Sequence, residues 1–164
     1  MLRGFPPVVA ADTHTLILGS FPGEASLVAT QYYAHPRNQF WKLLGAVLDE
    51  PQLPDLDYDV RLERVLKHGI GIWDVLAACH REGSLDSAIR NARPNDFDAL
   101  REHAPPLKRV CFNGKTAGRF ADVIGAAGYE TLVLPSSSPA NATLSFDQKL
   151  LRWREILSNL QHAQ

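Results

Sequence analysis

The apolar positions of this chain fall into short unbroken runs that alternate with runs spaced three and four apart. Thr15–Leu18 (TLIL) is apolar apart from its threonine, breaks at Gly19, and reads as a buried strand. Phe40, Leu43, Leu44, Val47 and Leu48 recur at helical spacing and predict a helix that starts near Asn38. Tyr58, Leu62, Val65 and Leu66 give a second amphipathic helix that stops at Gly69. Ile70–Leu76 (IGIWDVL) is apolar with one acid inside it and reads as a strand end running into a functional loop. Leu107–Phe112 (LKRVCF) is another strand, and Phe120, Val123, Ile124 and Ala127 mark the helix after it. Thr131–Leu134 (TLVL) is a third clear strand. The last helix opens with a capping box, Ser145 and Gln148, and carries Phe146, Leu150, Trp153, Leu157 and Leu160 on one face.

Strands that alternate with helices, each strand a short apolar run, predict an α/β chain with a parallel sheet covered on both faces. The expected fold is a three-layer α/β/α sandwich around a mainly parallel sheet of roughly four strands. In such folds ligands bind beyond the carboxyl ends of the strands. The segments in question are Gly19–Gly23, Trp73–Leu76, Asn113–Thr116 and Pro135–Asn141, which are together rich in Gly, Pro, Ser and Asn. Glu50–Asp57 and Pro105-Pro106 are short enough to be loops, so residues 1–164 read as a single domain.

Composition narrows the classes. A chain of 164 residues buries roughly 70% of its unfolded surface, so it needs no disulfide or metal to hold together. With 45% hydrophobic and 21% charged residues it is neither disordered nor fibrous. No apolar run approaches the ~18 residues of a membrane helix. The start, MLRGFPPVVAADTH, has no apolar signal core, so the expected location is the cytoplasm. Two cysteines, Cys79 and Cys111, are too few for a disulfide scaffold, a four-cysteine zinc site or an iron–sulfur cluster. With 17 Lys+Arg against 18 Asp+Glu the net charge is -1. That argues against holding nucleic acid by a basic field alone, while leaving room for a local cationic groove.

Several short motifs carry candidate chemistry. Gly114-Lys115-Thr116 lies between a strand and a helix, but a phosphate-binding loop needs Gly where this chain has Arg109. Lys115 then reads as a solvated helix-start lysine or as a single phosphate contact. Ser136-Ser137-Ser138-Pro139 lacks a G-x-S-x-G elbow, so it is either a polar loop or a set of neutral partners for phosphate oxygens. The six histidines show no ligand spacing to another His or Cys, and metal binding is not expected. The densest segment is Gln31–Trp41 (QYYAHPRNQFW), where planar polar groups interleave with aromatics on a loop, as a base-stacking pocket requires. Tyr32 and Tyr33 are adjacent, so they are expected to have different roles. Asn38 also fits the N-cap of the helix that follows.

Taken together, three blocks resemble the uracil-DNA glycosylase superfamily. They are Gly19-Ser20-Phe21-Pro22-Gly23, then Tyr33-Ala34-His35-Pro36-Arg37-Asn38-Gln39-Phe40-Trp41, then Ser136-Ser137-Ser138-Pro139-Ala140-Asn141. The first two are similar to G-I-N-P-G and F-A-H-P-A-N-R-F-W of the mismatch-specific branch. The third stands where the superfamily has H-P-S-P-L-S or N-P-S-G-L-S. Two departures matter: Phe21 replaces the water-positioning asparagine, and Ala140 replaces an intercalating leucine. With Trp73-Asp74-Val75-Leu76, Ser84-Leu85-Asp86 and Phe112-Asn113-Gly114, the pattern looks most like the hypoxanthine-DNA glycosylase branch, which removes deaminated adenine. Its catalytic asparagine lies in the block matching Asn38.

The resemblance implies base flipping followed by hydrolysis of the N-glycosidic bond in damaged DNA, by a monomer without cofactor, metal or iron–sulfur cluster. Catalysis then means stabilising negative charge on the leaving base and positioning water at the sugar. Asn38 is the expected water-positioning group, with Asp74 as the fallback base. Tyr33 is expected to stack on the base, while the main chain around Phe21 and the side chain of Asn113 bind its edge. Ser136 takes the place of the group supporting the departing charge. Ser138 and Lys115 are expected on flanking phosphates. The rivals are a glycosylase for uracil or G·U and G·T mismatches, an inactive DNA- or nucleobase-binding module, and a nucleosidase acting on free nucleosides.

Overall fold

Every residue of Thr15–Gly19, Ile70–Asp74 and Arg109–Asn113 is buried, as the mainly apolar strands of a covered parallel sheet must be. The structure is a computed structural model and describes residues 1–158. In chain order its elements are β1 (Leu2–Arg3), β2 (Thr15–Gly19), α1 (Glu24–Ala29), α2 (Phe40–Val47), α3 (Tyr58–Lys67), β3 (Ile70–Asp74) and β4 (Leu76–His80). These are followed by β5 (Arg90–Pro94), α4 (Leu100–His103), β6 (Arg109–Asn113), α5 (Lys115–Gly118), α6 (Ala121–Ala126), β7 (Glu130–Leu134) and α7 (Phe146–Trp153). Single 3-10 turns occupy Leu53–Asp55, Asp86–Ala88 and Arg154–Leu157.

The expected sheet forms with the order β3-β2-β6-β7, all parallel. Its register pairs Gly19 with Asp74, Leu18 with Phe112, and Asn113 with Leu134. Gly19, Asp74, Asn113 and Leu134 therefore finish at one level, and the loops after them share one rim. Helix α3 packs on β3, α5 on β6, and α6 and α7 on β7. Helix α2 buries Phe40, Trp41, Leu43 and Leu44 and packs on α7, where Phe40 meets Trp153 edge-on at 5.7 Å. The capping box holds: Ser145 Oγ accepts from the Gln148 N–H at 3.1 Å and Gln148 Oε1 from the Ser145 N–H at 2.9 Å.

Both sheet edges are managed locally. Val8 forms an antiparallel bridge to Ile72 and closes the β3 edge. On the β7 edge the Arg152 guanidinium donates to the Val133 carbonyl at 3.2 Å, a cationic cover for a free backbone acceptor. Arg109, the residue that breaks the phosphate-loop pattern, is buried. It donates to the Glu155 and Ile156 carbonyls at 2.9 and 2.7 Å and pairs with Glu130 at 2.9 Å.

Four features depart from the sequence pattern. The stretch after Asp74 is no loop: the chain turns at Val75 and enters β4, the centre of a three-stranded antiparallel sheet β1-β4-β5. Its sequence, LAACH, has little strand character of its own, and the two partner strands supply the pairing. The helix expected at Phe120–Ala127 forms as α6, with those two residues at its caps, and a separate helix, α5, precedes it. The two are separated where the Arg119 and Phe120 N–H groups bond only three residues back. Glu24–Ala29 is an unforeseen helix. Leu157 lies on the 3-10 turn rather than on α7, and Leu160 falls outside the described residues. Among the described residues no helix is long and apolar enough to cross a membrane.

Candidate active site

At the rim, the absence of a side chain at Gly19 creates the space. A Cβ there would stand 2.6 Å from both Asp74 Oδ1 and Tyr33 Oη. Tyr33 reaches this point from the loop between α1 and α2, with φ at +54°, a conformation that non-glycine residues seldom adopt. The loop is held on several sides. Ser26 Oγ accepts from the Ala34 N–H at 3.0 Å, and the Trp41 indole N–H lies 3.3 and 3.2 Å from the Tyr32 and Tyr33 carbonyls. The two tyrosines divide as expected. Tyr32 is buried and donates to the Pro6 carbonyl at 2.9 Å, whereas the Tyr33 ring lies on Phe40 with centroids 3.8 Å apart and planes 12° from parallel.

Asp74 is 4% exposed, and its Oδ2 has no hydrogen-bond partner among the described residues. Burial, and secondarily the nearby Asp86 carboxylate, push its pKa up to about 7, against the pull of Arg81. Its main-chain carbonyl is occupied by the Asn95 side-chain amide at 2.8 Å. Burial and the Asp74 charge raise the Tyr33 hydroxyl above its ordinary range, so it remains a neutral group. A buried carboxyl poised near neutrality beside a phenol is a proton-handling arrangement.

On the far side, Asn113 is braced by Ser137. Its Nδ2 donates to Ser137 Oγ at 2.9 Å and to Tyr33 Oη at 3.3 Å, and its Oδ1 accepts from the Ser137 N–H at 2.9 Å. The Ser137 carbonyl accepts from the Gln39 N–H at 3.0 Å, and Gln39 Oε1 accepts from the buried Lys149 ammonium at 3.0 Å. Burial lowers the Lys149 pKa. This chain of bonds ties the β6 tip, the post-β7 loop, the start of α2 and α7 into one frame.

Comparison with known proteins names the architecture. The profile of the Uracil DNA glycosylase superfamily matches residues 6–160. The chain belongs to that superfamily. It is 48% identical over 139 residues to a hypoxanthine DNA glycosylase of Methanosarcina barkeri, covering 85% of this chain and 87% of the relative. It is 46% identical over 143 residues to a hypoxanthine DNA glycosylase of Methanosarcina acetivorans, with 87% and 90% covered. The solution NMR structure of a candidate uracil DNA glycosylase from Methanosarcina acetivorans matches with a TM-score of 0.83 and 43% identity, over 94% of this chain and 97% of that one.

Within this glycosylase superfamily frame, the structure brings Tyr33, Asp74 and Asn113 together around Gly19. Phe21 follows at once, its ring buried beneath the Arg81 guanidinium at 5.4 Å, so that only its main chain is available to a ligand. Asn38 lies on the Tyr33 loop, partly exposed, and its Oδ1 accepts from the Phe40 N–H at 2.9 Å. That local bond is the cap-like duty expected of it, although the N-cap position itself belongs to Gln39. Ser136 packs its Cβ against Gly114, whose φ of +98° and close approach exclude a side chain there. Its Oγ accepts from the Ser138 N–H at 3.1 Å, and Ser138 Oγ accepts from the Ala140 N–H at 3.2 Å. Lys115 is exposed at the start of α5. Sequence reasoning passed over Ser137, the buried serine of the triplet, because three identical neighbours carry no signal of which one faces inward. It also passed over Gln39 and Lys149, whose pairing spans 110 positions.

Proposed function

We propose that the protein removes hypoxanthine from deoxyinosine in DNA, acting as a cytoplasmic monomer without cofactor. The observation that carries this reading is Asp74, whose Oδ2 has no hydrogen-bond partner among the described residues, beside Tyr33 in the space left by Gly19 at the tips of the parallel strands. The names of the two relatives support the choice of base.

In a duplex the glycosidic bond is inaccessible, so the nucleotide must swing out, at a cost of a few kcal/mol that a mispaired base reduces. The extruded purine stacks on the Tyr33 face not covered by Phe40. Hypoxanthine presents a carbonyl and an N–H where adenine has an amine and a bare ring nitrogen. The carbonyl suits the Asn113 Nδ2–H now spent on Tyr33, since that 3.3 Å bond is the longest of the three and the easiest to exchange. As the bond breaks, its electron pair leaves with the base and the sugar becomes cationic. A water oxygen then bonds to the anomeric carbon, and its proton passes to the ionised Asp74. Asn38, with one lone pair of Oδ1 on Phe40, orients that water with the other. The main chain at Phe21 and the Ser136 hydroxyl face the anionic base, and Ser138 and Lys115 take the flanking phosphates.

The test is single-turnover excision from a duplex containing one deoxyinosine, run beside uracil and G·T duplexes. Abasic product is expected from the deoxyinosine strand, with Asn38→Ala slower by roughly 100-fold. Undiminished cleavage by Asn38→Ala removes that residue's role. Product from uracil alone moves the assignment to the uracil-specific rival.

A further inference from the structure

Removing a base from a duplex leaves a hole in the stack, and an apolar side chain that enters it keeps the extruded nucleotide from returning. Six large apolar side chains are exposed among the described residues: Met1, Val28, Leu85, Val123, Val133 and Leu151. Val28, Val123 and Leu151 lie on helices, Val133 on the β7 edge and Met1 at the terminus. Leu85 alone sits on a loop bonded to the catalytic rim, and it is 58% exposed.

That loop joins β4 to β5 and is fastened to the segment after β2 on both sides of Leu85. Ser84 Oγ accepts from the Glu24 N–H at 2.9 Å, and Ser20 Oγ donates to Asp86 Oδ1 at 2.7 Å. Arg81 adds a bond to the Pro22 carbonyl and another to the Gly83 carbonyl, each 2.7 Å. The Leu85 carbonyl starts the 3-10 turn by accepting from the Ala88 N–H at 3.0 Å. The backbone of Leu85 is thus held by its neighbours, while its side chain is left largely in water. Such a leucine gives up little conformational freedom when it inserts, which is what an efficient wedge requires. Across the site, the loop after β7 carries Pro139 and Ala140 midway, and the single methyl of Ala140 fills little of a vacated base position.

We infer that Leu85 is the wedge of this enzyme, entering the base stack from the β4–β5 loop as the deoxyinosine swings toward Tyr33. This rests on the glycosylase reading above. The experiment compares single-turnover excision from a fully paired deoxyinosine duplex with excision from the same base in an unpaired bubble, where there is no stack to hold open. For Leu85→Ala the duplex-to-bubble rate ratio is expected to fall roughly tenfold or more, and Leu85→Met to restore it. Leu151→Ala, an exposed leucine elsewhere, should leave the ratio unchanged, and the thermal midpoint of Leu85→Ala should match the wild type. An unchanged ratio in Leu85→Ala overturns the inference and leaves the glycosylase reading standing. So does a loss that follows Pro139→Ala instead. Failure of the wild type on both substrates removes the glycosylase reading, and the wedge with it.

Discussion

Two carboxylates at opposite ends of β3 show how one functional group serves two ends. Glu50 sits near the entrance of the strand, with Oε2 2.6 Å from His68 Nε2 and Oε1 accepting from Arg64 at 2.8 Å. The bond with His68, then the Arg64 charge, hold its pKa below the usual carboxylate range. Asp74 ends β3 in a buried site, one oxygen without a partner among the described residues and another carboxylate nearby, and its pKa rises to about 7. Glu50 has its charge neutralised and is a structural clamp. Asp74 is compensated only by the pull of Arg81, which costs stability and leaves a carboxyl that changes state near neutral pH, as the proposed base must.

The contrast can be broken most directly at Asp74. Asp74→Asn should slow single-turnover excision by roughly 100-fold or more, whereas Glu50→Gln should leave it near wild type. The wild-type rate should rise with pH and level off above about 7, where Asp74 is ionised, and this rise should vanish in Asp74→Asn. Retention of the same pH profile in Asp74→Asn would assign the titration to another group.

Stability should move in the opposite sense. Because the folded pKa of Asp74 lies above its unfolded value, the native state holds the proton more tightly. Its contribution to stability is therefore complete at low pH and is lost as pH rises to about 7, a penalty on the order of 4 kcal/mol. Asp74→Asn should thus raise the thermal midpoint at pH 8 by several degrees, whatever its effect on activity. Glu50, with its pKa lowered, contributes stability above the carboxylate range and loses it on acidification. Glu50→Gln should cost about 1 kcal/mol or less at neutral pH, seen as a small drop in denaturation midpoint.

Gly19→Ala sharpens the comparison from the side of space. Its methyl would meet Asp74 and Tyr33 at 2.6 Å, so a loss of about 1–3 kcal/mol in stability should accompany a loss of deoxyinosine excision. Full activity in a normally folded Gly19→Ala protein would place the base elsewhere. The smallest effect is expected at Lys115, exposed on α5. Lys115→Ala should weaken DNA binding evenly across sequences and reduce the slope of log affinity against log salt by about 1.

Much of the site could be read in the residues themselves. Tyr33 stood out because polar and aromatic groups interleave on a loop, and Asp74 because it is the one acid in an apolar run. Asn113 stood out because it closes a strand in a parallel sheet. What escaped reading depended on partners remote in the chain. LAACH becomes a strand because β1 and β5 flank it. Ser137, rather than Ser136 or Ser138, turns inward because Asn113 and Gln39 receive it. Lys149 is buried because α7 docks where Gln39 can accept from it.

The order of apolar runs and their breaks was enough to set the alternation of strands and helices and to place the chemistry-bearing residues just past the strands. Those features follow from backbone geometry and local burial, which repeat every two or 3.6 residues. The charge state of Asp74, the rigid presentation of Leu85 and the space above Gly19 were decided only by the folded chain. Each depends on the exclusion of water and on distances between segments that local periodicity does not encode.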